Sequence, residues 1–124
     1  ASKTKLTYVY DKEKDSVSKL TMEIIYDITK DERYTEAVRS QRDEIVSEME
    51  GIEGVTYTKK DDINYITLTI EVDVNKFKFD DAASRKKAPT LYNTVNAALK
   101  RKDNMVSYQL SKDAILEYEF KEVK

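Results

Sequence analysis

The hydrophobic pattern of the chain is clearest over residues 64–74, where apolar and polar side chains alternate one by one. The apolar positions are Ile66, Leu68, Ile70, Val72 and Val74. A period of two predicts a β-strand with one buried face and one wet face. This pattern is typical of an antiparallel sheet, because a parallel sheet covered on both sides would read as a continuous apolar run.

Three further segments alternate in the same way, which predicts a sheet of four strands. They are residues 6–11, 18–28 and 55–60. The first two form a hairpin around the charged residues 12–15, and the third pairs with residues 64–74 across Asp61 and Asp62. Both hairpins are therefore expected in one antiparallel sheet.

A repeat of three to four residues after Thr29 predicts a long amphipathic helix. Thr29 and Glu32 fit a capping box at its start. No Gly or Pro interrupts the repeat before Gly51, so we expect the helix to end there and Gly54 to help the chain turn into the next strand. The apolar stripe of this helix, which includes Val38, is expected to pack on the apolar face of the sheet.

Two more helices are predicted around the single proline of the chain, Pro89. A short helix can begin at Asp80 or Asp81 and has to end near Ala88, because the residue before a proline avoids the helical conformation. Pro89 itself suits the first turn of the next helix, which runs down to the cations at 100–102.

The remaining segments are short. Phe77 and Phe79 alternate with lysines and extend the edge of the preceding strand, and residues 106–110 alternate as a short strand. Residues 112–120 fit both a helix capped by Ser111 and a strand, and we expect the helix.

These elements together predict an α+β fold, with an antiparallel sheet of four or more strands and helices packed on one face. The length of 124 residues suits one domain over 1–124, which can bury a core without disulfides or metal. The 22 Lys and Arg residues nearly balance 24 Asp and Glu residues, so no overall positive field favours nucleic acid. No apolar run reaches the roughly 20 residues that span a bilayer, so the chain as given is expected to be soluble.

The composition excludes most hydrolase chemistry. The chain has no His and no Cys, which removes imidazole bases, thiolate nucleophiles and the usual ligands of zinc. Paired carboxylates of the glycosidase type remain, although nearly all Asp and Glu fall on wet faces of the patterned elements. Asp61, Asp62 and Asn64 offer oxygen ligands but lack the spacing of an EF-hand loop. We therefore predict no catalytic residue, no cofactor and no metal site.

Tyrosine is the unusual feature of the composition, with nine Tyr against three Phe. Tyr8, Tyr10 and Tyr26 share the parity of the apolar residues in their strands and are predicted in the core. Tyr65 falls on the opposite face, and Tyr57 is its candidate neighbour across the second hairpin. Tyr57 and Tyr65 are therefore the candidate exposed aromatic contact, since Tyr combines an apolar ring with a polar tip.

Positive charge is concentrated between residues 84 and 102, which include no Asp or Glu. The six cations, which we name the basic strip, are Arg85, Lys86, Lys87, Lys100, Arg101 and Lys102. If the helix from Pro89 packs its apolar stripe inward, the two groups of three lie at its opposite ends, about 20 Å apart, and act as separate contacts. The strip either solubilises the helix flanks or binds anionic lipid head groups or wall polymer.

Four short motifs, spread over most of the chain, point to one family. They are Leu6-Thr7-Tyr8-Val9-Tyr10, Gly51-Ile52-Glu53-Gly54-Val55, the alternating strand after Tyr57-Thr58, and the ending Phe120-Lys121-Glu122-Val123-Lys124. Together they resemble the YehR-like family of small bacterial lipoproteins. The resemblance implies a compact α+β domain and a signal peptide with a lipid-bearing Cys ahead of residue 1, hence an extracytoplasmic domain tethered to the cell membrane. It implies no site residues.

We therefore expect a non-enzymatic lipoprotein domain outside the cytoplasm that binds an envelope or surface partner, which is a peptide, a glycan or an anionic polymer. The alternative is an envelope hydrolase that uses paired carboxylates. A deep cleft with two inward carboxylates favours the enzyme, whereas a shallow aromatic or basic surface favours binding. We expect a monomer that meets the membrane through its lipid anchor and has no nucleic-acid partner.

Overall fold

The computed structural model describes residues 2–29, 32–118 and 120–122. Its strands are β1 Ser2–Asp11, β2 Ser16–Asp27, β3 Val55–Asp61, β4 Tyr65–Asp73, β5 Lys100–Lys102 and β6 Met105–Ser107. Its helices are α1 Glu32–Met49, α2 Ala82–Lys87, α3 Pro89–Ala98 and α4 Tyr108–Leu116. These six strands form one antiparallel sheet on which the helices pack, so the predicted α+β fold class is confirmed.

The sheet is built around β2, its longest strand. β1 pairs with one edge of β2 along its length, from Ser2 opposite Tyr26 to Asp11 opposite Ser16. β4 pairs with the other edge of β2, and β3 pairs with the outer edge of β4. The four strands expected from the alternation are confirmed, in the spatial order β1-β2-β4-β3.

A small hairpin, β5 and β6, joins the sheet beyond the end of β4. Ser107 of β6 lies opposite Ser16 of β2, and β5 pairs with β6. Two expectations are wrong here, because residues 100–102 form a strand rather than a helix end and the chain becomes helical at Tyr108. The hydroxyl of Ser107 accepts a hydrogen bond from the backbone N–H of Leu110 at 3.1 Å, so α4 begins at this cap.

The helices cover one face of the sheet, which we call the apolar face. It carries the even-numbered side chains of β2 and β4, of which the most deeply buried are Leu20, Met22, Ile66, Leu68 and Val72. α1 packs there as predicted, through Val38, which clusters with Tyr26 and Ile66. The opposite face, called the open face, carries the odd-numbered residues of β4 and of β2 from Lys19 onward, which are partly or fully exposed.

A β-bulge at Ser18 changes which side chains reach the core. Val9 lies opposite Lys19, but the next residue, Tyr10, lies opposite Val17. The extra residue turns Val17 into the core, where it is 4% exposed, although its odd number would place it on the open face. Strict alternation could not identify this core residue.

The connection from α1 to β3 uses both glycines, as predicted. Gly51 and Gly54 have φ angles of 81° and 84°, in the left-handed region that side chains disfavour. A Cβ at Gly54 would also lie 2.7 Å from the backbone N of Phe77. Phe77 and Phe79 do not extend β4 as expected, since the strand ends at Asp73. Both rings are buried and pack edge to face with centroids 4.9 Å apart.

The helices around Pro89 form as predicted. The carboxylate of Asp81 caps α2 by accepting from the backbone N–H of Ala83 at 3.2 Å. Pro89 is the first residue of α3. The helix expected for residues 112–120 is confirmed as far as Leu116, but it starts well before Ser111.

Three expectations reach beyond the described residues: the capping role of the Glu32 side chain, the segment after Tyr118, and the motif at 120–124. Thr29, the other half of the capping box, donates its hydroxyl to the carboxylate of Asp27 at 2.6 Å. Among the residues that are described, no helix combines the length and the apolar character needed to cross a membrane.

Candidate functional site

The turn between β1 and β2 holds the N-terminus of α4. The carboxylate of Asp15 accepts hydrogen bonds from the Ser107 hydroxyl at 2.6 Å and from the backbone N–H of Gln109 at 2.7 Å. The Ser107 bond, followed by the Gln109 bond, lowers the pKa of Asp15. The backbone carbonyl of Asp15 accepts from the N–H of Tyr108 at 3.2 Å. These bonds satisfy N–H groups of the first helical turn, so the turn caps α4 from outside.

Three tyrosines connect α4 to the sheet. The hydroxyl of Tyr8 donates to the carbonyl of Ala98 at 2.8 Å, and its ring meets Tyr108 edge-on at 6.5 Å between centroids. Tyr108 in turn stacks on Tyr10 with centroids 3.8 Å apart and ring planes within 4°. Burial, with a smaller effect of Tyr108, raises the pKa of Tyr8 to about 12. The Tyr108 ring is therefore held from two sides.

The sequence predicts Tyr8, Tyr10 and Tyr26 in the core, and this prediction is confirmed for two of them. Tyr26 is buried and Tyr8 packs against the core, but Tyr10 is 47% exposed. Tyr10 lies at the end of β1, where its ring rests on Tyr108 at the rim of α4 instead of under a helix. Its position makes it a surface aromatic residue.

An open cleft of about 270 Å³ lies beside this stack, and we name it the tyrosine cleft. Its walls are Tyr10, Lys12, Tyr108, Gln109, Lys112 and Glu122. The ammonium of Lys112 lies 3.2 Å from the carboxylate of Glu122. The cleft thus combines an aromatic surface with hydrogen-bond donors and acceptors, which is the chemistry of a binding site for a polar ligand. None of these six was a sequence-predicted site residue.

The structure brings two residues of the basic strip together, against expectation. Arg101 donates to both carboxylate oxygens of Asp80 at 2.9 and 3.0 Å and lies 5.1 Å from the centroid of the Phe79 ring. Arg85 donates to the backbone carbonyl of Phe79 at 3.0 Å. The predicted separation into two independent contacts is therefore wrong, because both guanidinium groups converge on residues 79–80.

The other four cations of the basic strip are dispersed. The ammonium of Lys87 donates to the carbonyl of Glu50 just after α1. Lys102 is close enough to Asp15 to help lower the pKa of that carboxyl. Lys86 is exposed on α2, and Lys100 is half-buried on β5. The strip is therefore not one continuous surface.

Tyr57 and Tyr65 do not form the predicted exposed pair. Tyr57 lies opposite Ile70 on the apolar face, and its hydroxyl donates to the Glu50 carboxylate at 2.6 Å. Tyr65 lies opposite Asp27 on the open face and is 46% exposed. The two rings point to opposite sides of the sheet. Tyr57 shares a face with its partner Ile70, whereas Tyr65 lies an odd number of residues from Ile70 on β4 and so points to the other face.

A second cavity, of about 530 Å³, lies at the edge of the open face and includes the carboxylates of Glu71 and Asp73. The Glu71 carboxylate lies 3.3 Å from the ammonium of Lys19. The Asp73 carboxylate accepts from the backbone N–H of Asn75 at 3.0 Å. Each of these carboxylates therefore already has a partner within the protein.

Asp61, one of the oxygen ligands considered for a metal, is paired with two arginines. Asp61 accepts from Arg42, which is 4% exposed, and from Arg39 at 3.3 Å. The Arg42 bond is the main cause that lowers the pKa of Asp61. Within the described ranges, no group of three or more Asp or Glu residues is arranged to hold a metal ion.

The tyrosine cleft and residue 2 lie at opposite ends of the sheet. Ser2 pairs with Tyr26 near the end of β2, whereas the cleft lies beside Ser107, which pairs with Ser16 at the start of β2. Ten residue steps separate Ser16 from Tyr26, so these ends are roughly 33 Å apart at the usual rise of a strand.

No protein-family model matches the chain, and no curated protein matches its sequence. Among solved structures, the fold is similar to the NMR structure of the YehR protein of E. coli, with a TM-score of 0.69 and 18% sequence identity. The match covers 99% of this chain and 83% of that chain. The chain therefore has a YehR-like fold.

Proposed function

We propose that this chain is the non-enzymatic binding domain of an extracytoplasmic lipoprotein, and that it meets its envelope partner at the tyrosine cleft. The sequence motifs that resemble the YehR-like lipoproteins support the membrane-tethered location, and the YehR-like fold agrees with that resemblance. The exposed aromatic ring and polar rim of the cleft support a binding role.

The observation that carries the proposal is the position of the cleft relative to residue 2. A tether that runs from residue 2 to a lipid anchor would leave the domain at this end of the sheet, opposite the cleft. The cleft lies roughly 33 Å away along β2, which is several times the Debye length of about 8 Å at physiological salt. The cleft would therefore face other envelope components instead of the membrane that holds the tether.

The basic strip supports an envelope partner more than it supports the tethering membrane. Arg101 and Lys102 belong to β5, which joins the sheet through β6 at the Ser16 end. These cations are therefore on the side of the cleft, far from residue 2. An anionic wall polymer or glycan suits this placement better than the lipid head groups beside the tether.

Site-specific photocrosslinking in the lipidated full-length protein tests the proposal. A photoreactive amino acid replaces Glu13, which is exposed next to Lys12 at the cleft, in one variant and Ile63 in another. Ile63 is 87% exposed in the turn between β3 and β4, at the residue 2 end of the sheet, so it is a matched exposed control. We expect adducts with an envelope component from position 13 and none with that component from position 63.

Adducts with the envelope component from position 63, and none from position 13, would contradict the assignment of the cleft. Hydrolysis of purified envelope glycan by the soluble chain would contradict the non-enzymatic part of the proposal and favour paired carboxylates, such as Glu71 and Asp73.

A further inference from the structure

We infer that the tyrosine cleft takes a glycan that carries a carboxylate group. This inference rests on the proposed function, since it assigns a ligand class to the same surface. It depends on three features of the cleft: a fixed aromatic ring with a free side, a net positive rim, and a small volume.

The ring of Tyr10 provides a platform for a sugar. One side of this ring covers Tyr108 at 3.8 Å, while 47% of the Tyr10 surface stays exposed. The C–H groups on one side of a pyranose pack well against such a ring, through apolar contact and weak C–H interactions.

The platform is held in place before any ligand arrives. Tyr108 is fixed by the edge of Tyr8 and by the bond from its backbone N–H to the carbonyl of Asp15. Tyr8 is itself anchored on the carbonyl of Ala98. A preorganised ring loses little conformational entropy when a ligand binds, which favours affinity in an open site.

The polar rim favours a negative group on that sugar. The charged side chains of the cleft are Lys12, Lys112 and Glu122, and Lys112 already pairs with Glu122 at 3.2 Å. Lys12 is exposed and has no ion pair with a carboxylate of the described residues. The carboxylate of the neighbouring residue, Asp11, accepts a hydrogen bond from the backbone N–H of Glu13 at 3.0 Å. An exposed ammonium without an ion pair, such as that of Lys12, can pair with a ligand carboxylate.

The size of the cleft favours a sugar ring over a peptide segment. Its volume of about 270 Å³ lies just under the range of about 300 to 1,000 Å³ for pockets that enclose drug-sized ligands. One ring with its substituents fits this volume, beside the side-chain amide of Gln109, whose nitrogen already donates to the carboxylate of Asp113 at 2.9 Å and whose carbonyl oxygen can accept from a sugar hydroxyl.

Titration of the purified chain with defined oligosaccharides tests the inference. The probes are trigalacturonic acid, neutral maltotriose as the matched uncharged sugar, and acetate as the free carboxylate. We expect trigalacturonic acid to shift the backbone amide NMR signals of residues 10–12 and 108–112 in a saturable manner. Maltotriose binding with equal affinity, acetate producing the same shifts, or no shift with any sugar would each overturn the inference.

Variants locate the contact. Tyr10→Ala should weaken binding of trigalacturonic acid about fivefold to tenfold, the size of one aromatic contact. Lys12→Gln, at an exposed position that does not endanger folding, should abolish the preference over maltotriose. Tyr65→Ala removes an exposed tyrosine at the other end of the sheet and should leave affinity unchanged. Equal losses in all three variants would overturn the inference.

The two proposals fail separately. If trigalacturonic acid does not bind but position 13 crosslinks to an envelope protein, the glycan inference is wrong and the binding role of the cleft stands. If the sugar binds in solution but position 13 gives no adduct in the envelope, the proposed function is wrong.

Discussion

Single residues in this protein are constrained by neighbours that are distant in sequence. Ser111 is fully buried, and its hydroxyl accepts from the backbone N–H of Lys100 at 2.8 Å. Arg42 is also buried, on a helix, and bonds to Asp61 at the end of β3. Each of these buried polar groups is satisfied by a partner from another element, so loss of that partner would leave a buried hydroxyl or guanidinium without this bond.

The two glycines give a test at this scale. Both have positive φ, so Ala is strained at either position, by about 1 kcal/mol. A new Cβ at Gly51 would lie 3.6 Å from the flexible end of Lys87, but at Gly54 it would lie 2.7 Å from the backbone N of Phe77. We expect Gly51→Ala to lower the free energy of unfolding by about 1 kcal/mol and Gly54→Ala by about 3 kcal/mol. Urea denaturation measures both, and equal losses would argue against the close approach of residues 54 and 77.

Elements in this fold are held by groups supplied from other elements. α1 has no basic residue in its last turn, and the ammonium of Lys87 from α2 reaches the carbonyl of Glu50 instead. α4 begins with its own cap at Ser107 but also depends on Asp15 from the first hairpin. A cation near a helix C-terminus and an anion near an N-terminus both stabilise the helix dipole.

The lowered pKa of Asp15 predicts a pH dependence for this contact. Because the pKa is lower in the folded state, the ionised carboxylate stabilises the fold above the ordinary Asp pKa of about 3.9, and this contribution is lost as the pH falls through the lowered pKa. Asp15→Asn keeps a residue that tolerates the φ of 48°. It should lower the melting temperature at pH 7, and the difference from the unsubstituted chain should shrink toward pH 2.

Glu13→Gln is the control for this series, since Glu13 is an exposed carboxylate in the same turn. Melting curves of Glu13→Gln are expected to follow the unsubstituted chain from pH 7 to pH 2. A constant difference between Asp15→Asn and the unsubstituted chain over this range would mean that ionised Asp15 does not stabilise α4.

The whole molecule is a sheet with one apolar face and one open face. Ile70 points to the apolar face and is 3% exposed, while Thr67, three residues earlier on the same strand, points to the open face. The tyrosine cleft lies where the helical layer reaches the end of this sheet, so the site depends on how the two layers meet.

This arrangement predicts very different losses of stability for the same substitution at two positions of β4. Ile70→Asp should lower the free energy of unfolding by several kcal/mol, on the order of 4 kcal/mol, because it buries an unpaired charge. Thr67→Asp should cost about 1 kcal/mol or less, since the new carboxylate meets water and faces Lys60 across the strand pair. Thermal unfolding unchanged by Ile70→Asp would refute the layer assignment.

The sequence by itself determined the four long strands, the long helix, both glycine positions and the α+β class. These features depend on local rules: a period of two or of three to four residues, the φ that glycine allows, and the restriction before Pro89. Each rule acts within a few neighbouring residues, so one chain read in order is enough to apply it.

Only the tertiary structure decided the bulge at Ser18, the contacts of the basic strip and the tyrosine cleft. The hydrophobic periodicity of the sequence predicts which face of a helix or strand a residue occupies. It does not predict which distant element packs on that face. Asp15 and Ser107 meet across 92 positions of the chain, and the same meeting brings Tyr10 onto Tyr108. No local pattern encodes such a contact, because its stabilisation depends on the packing of the whole helical layer against the sheet.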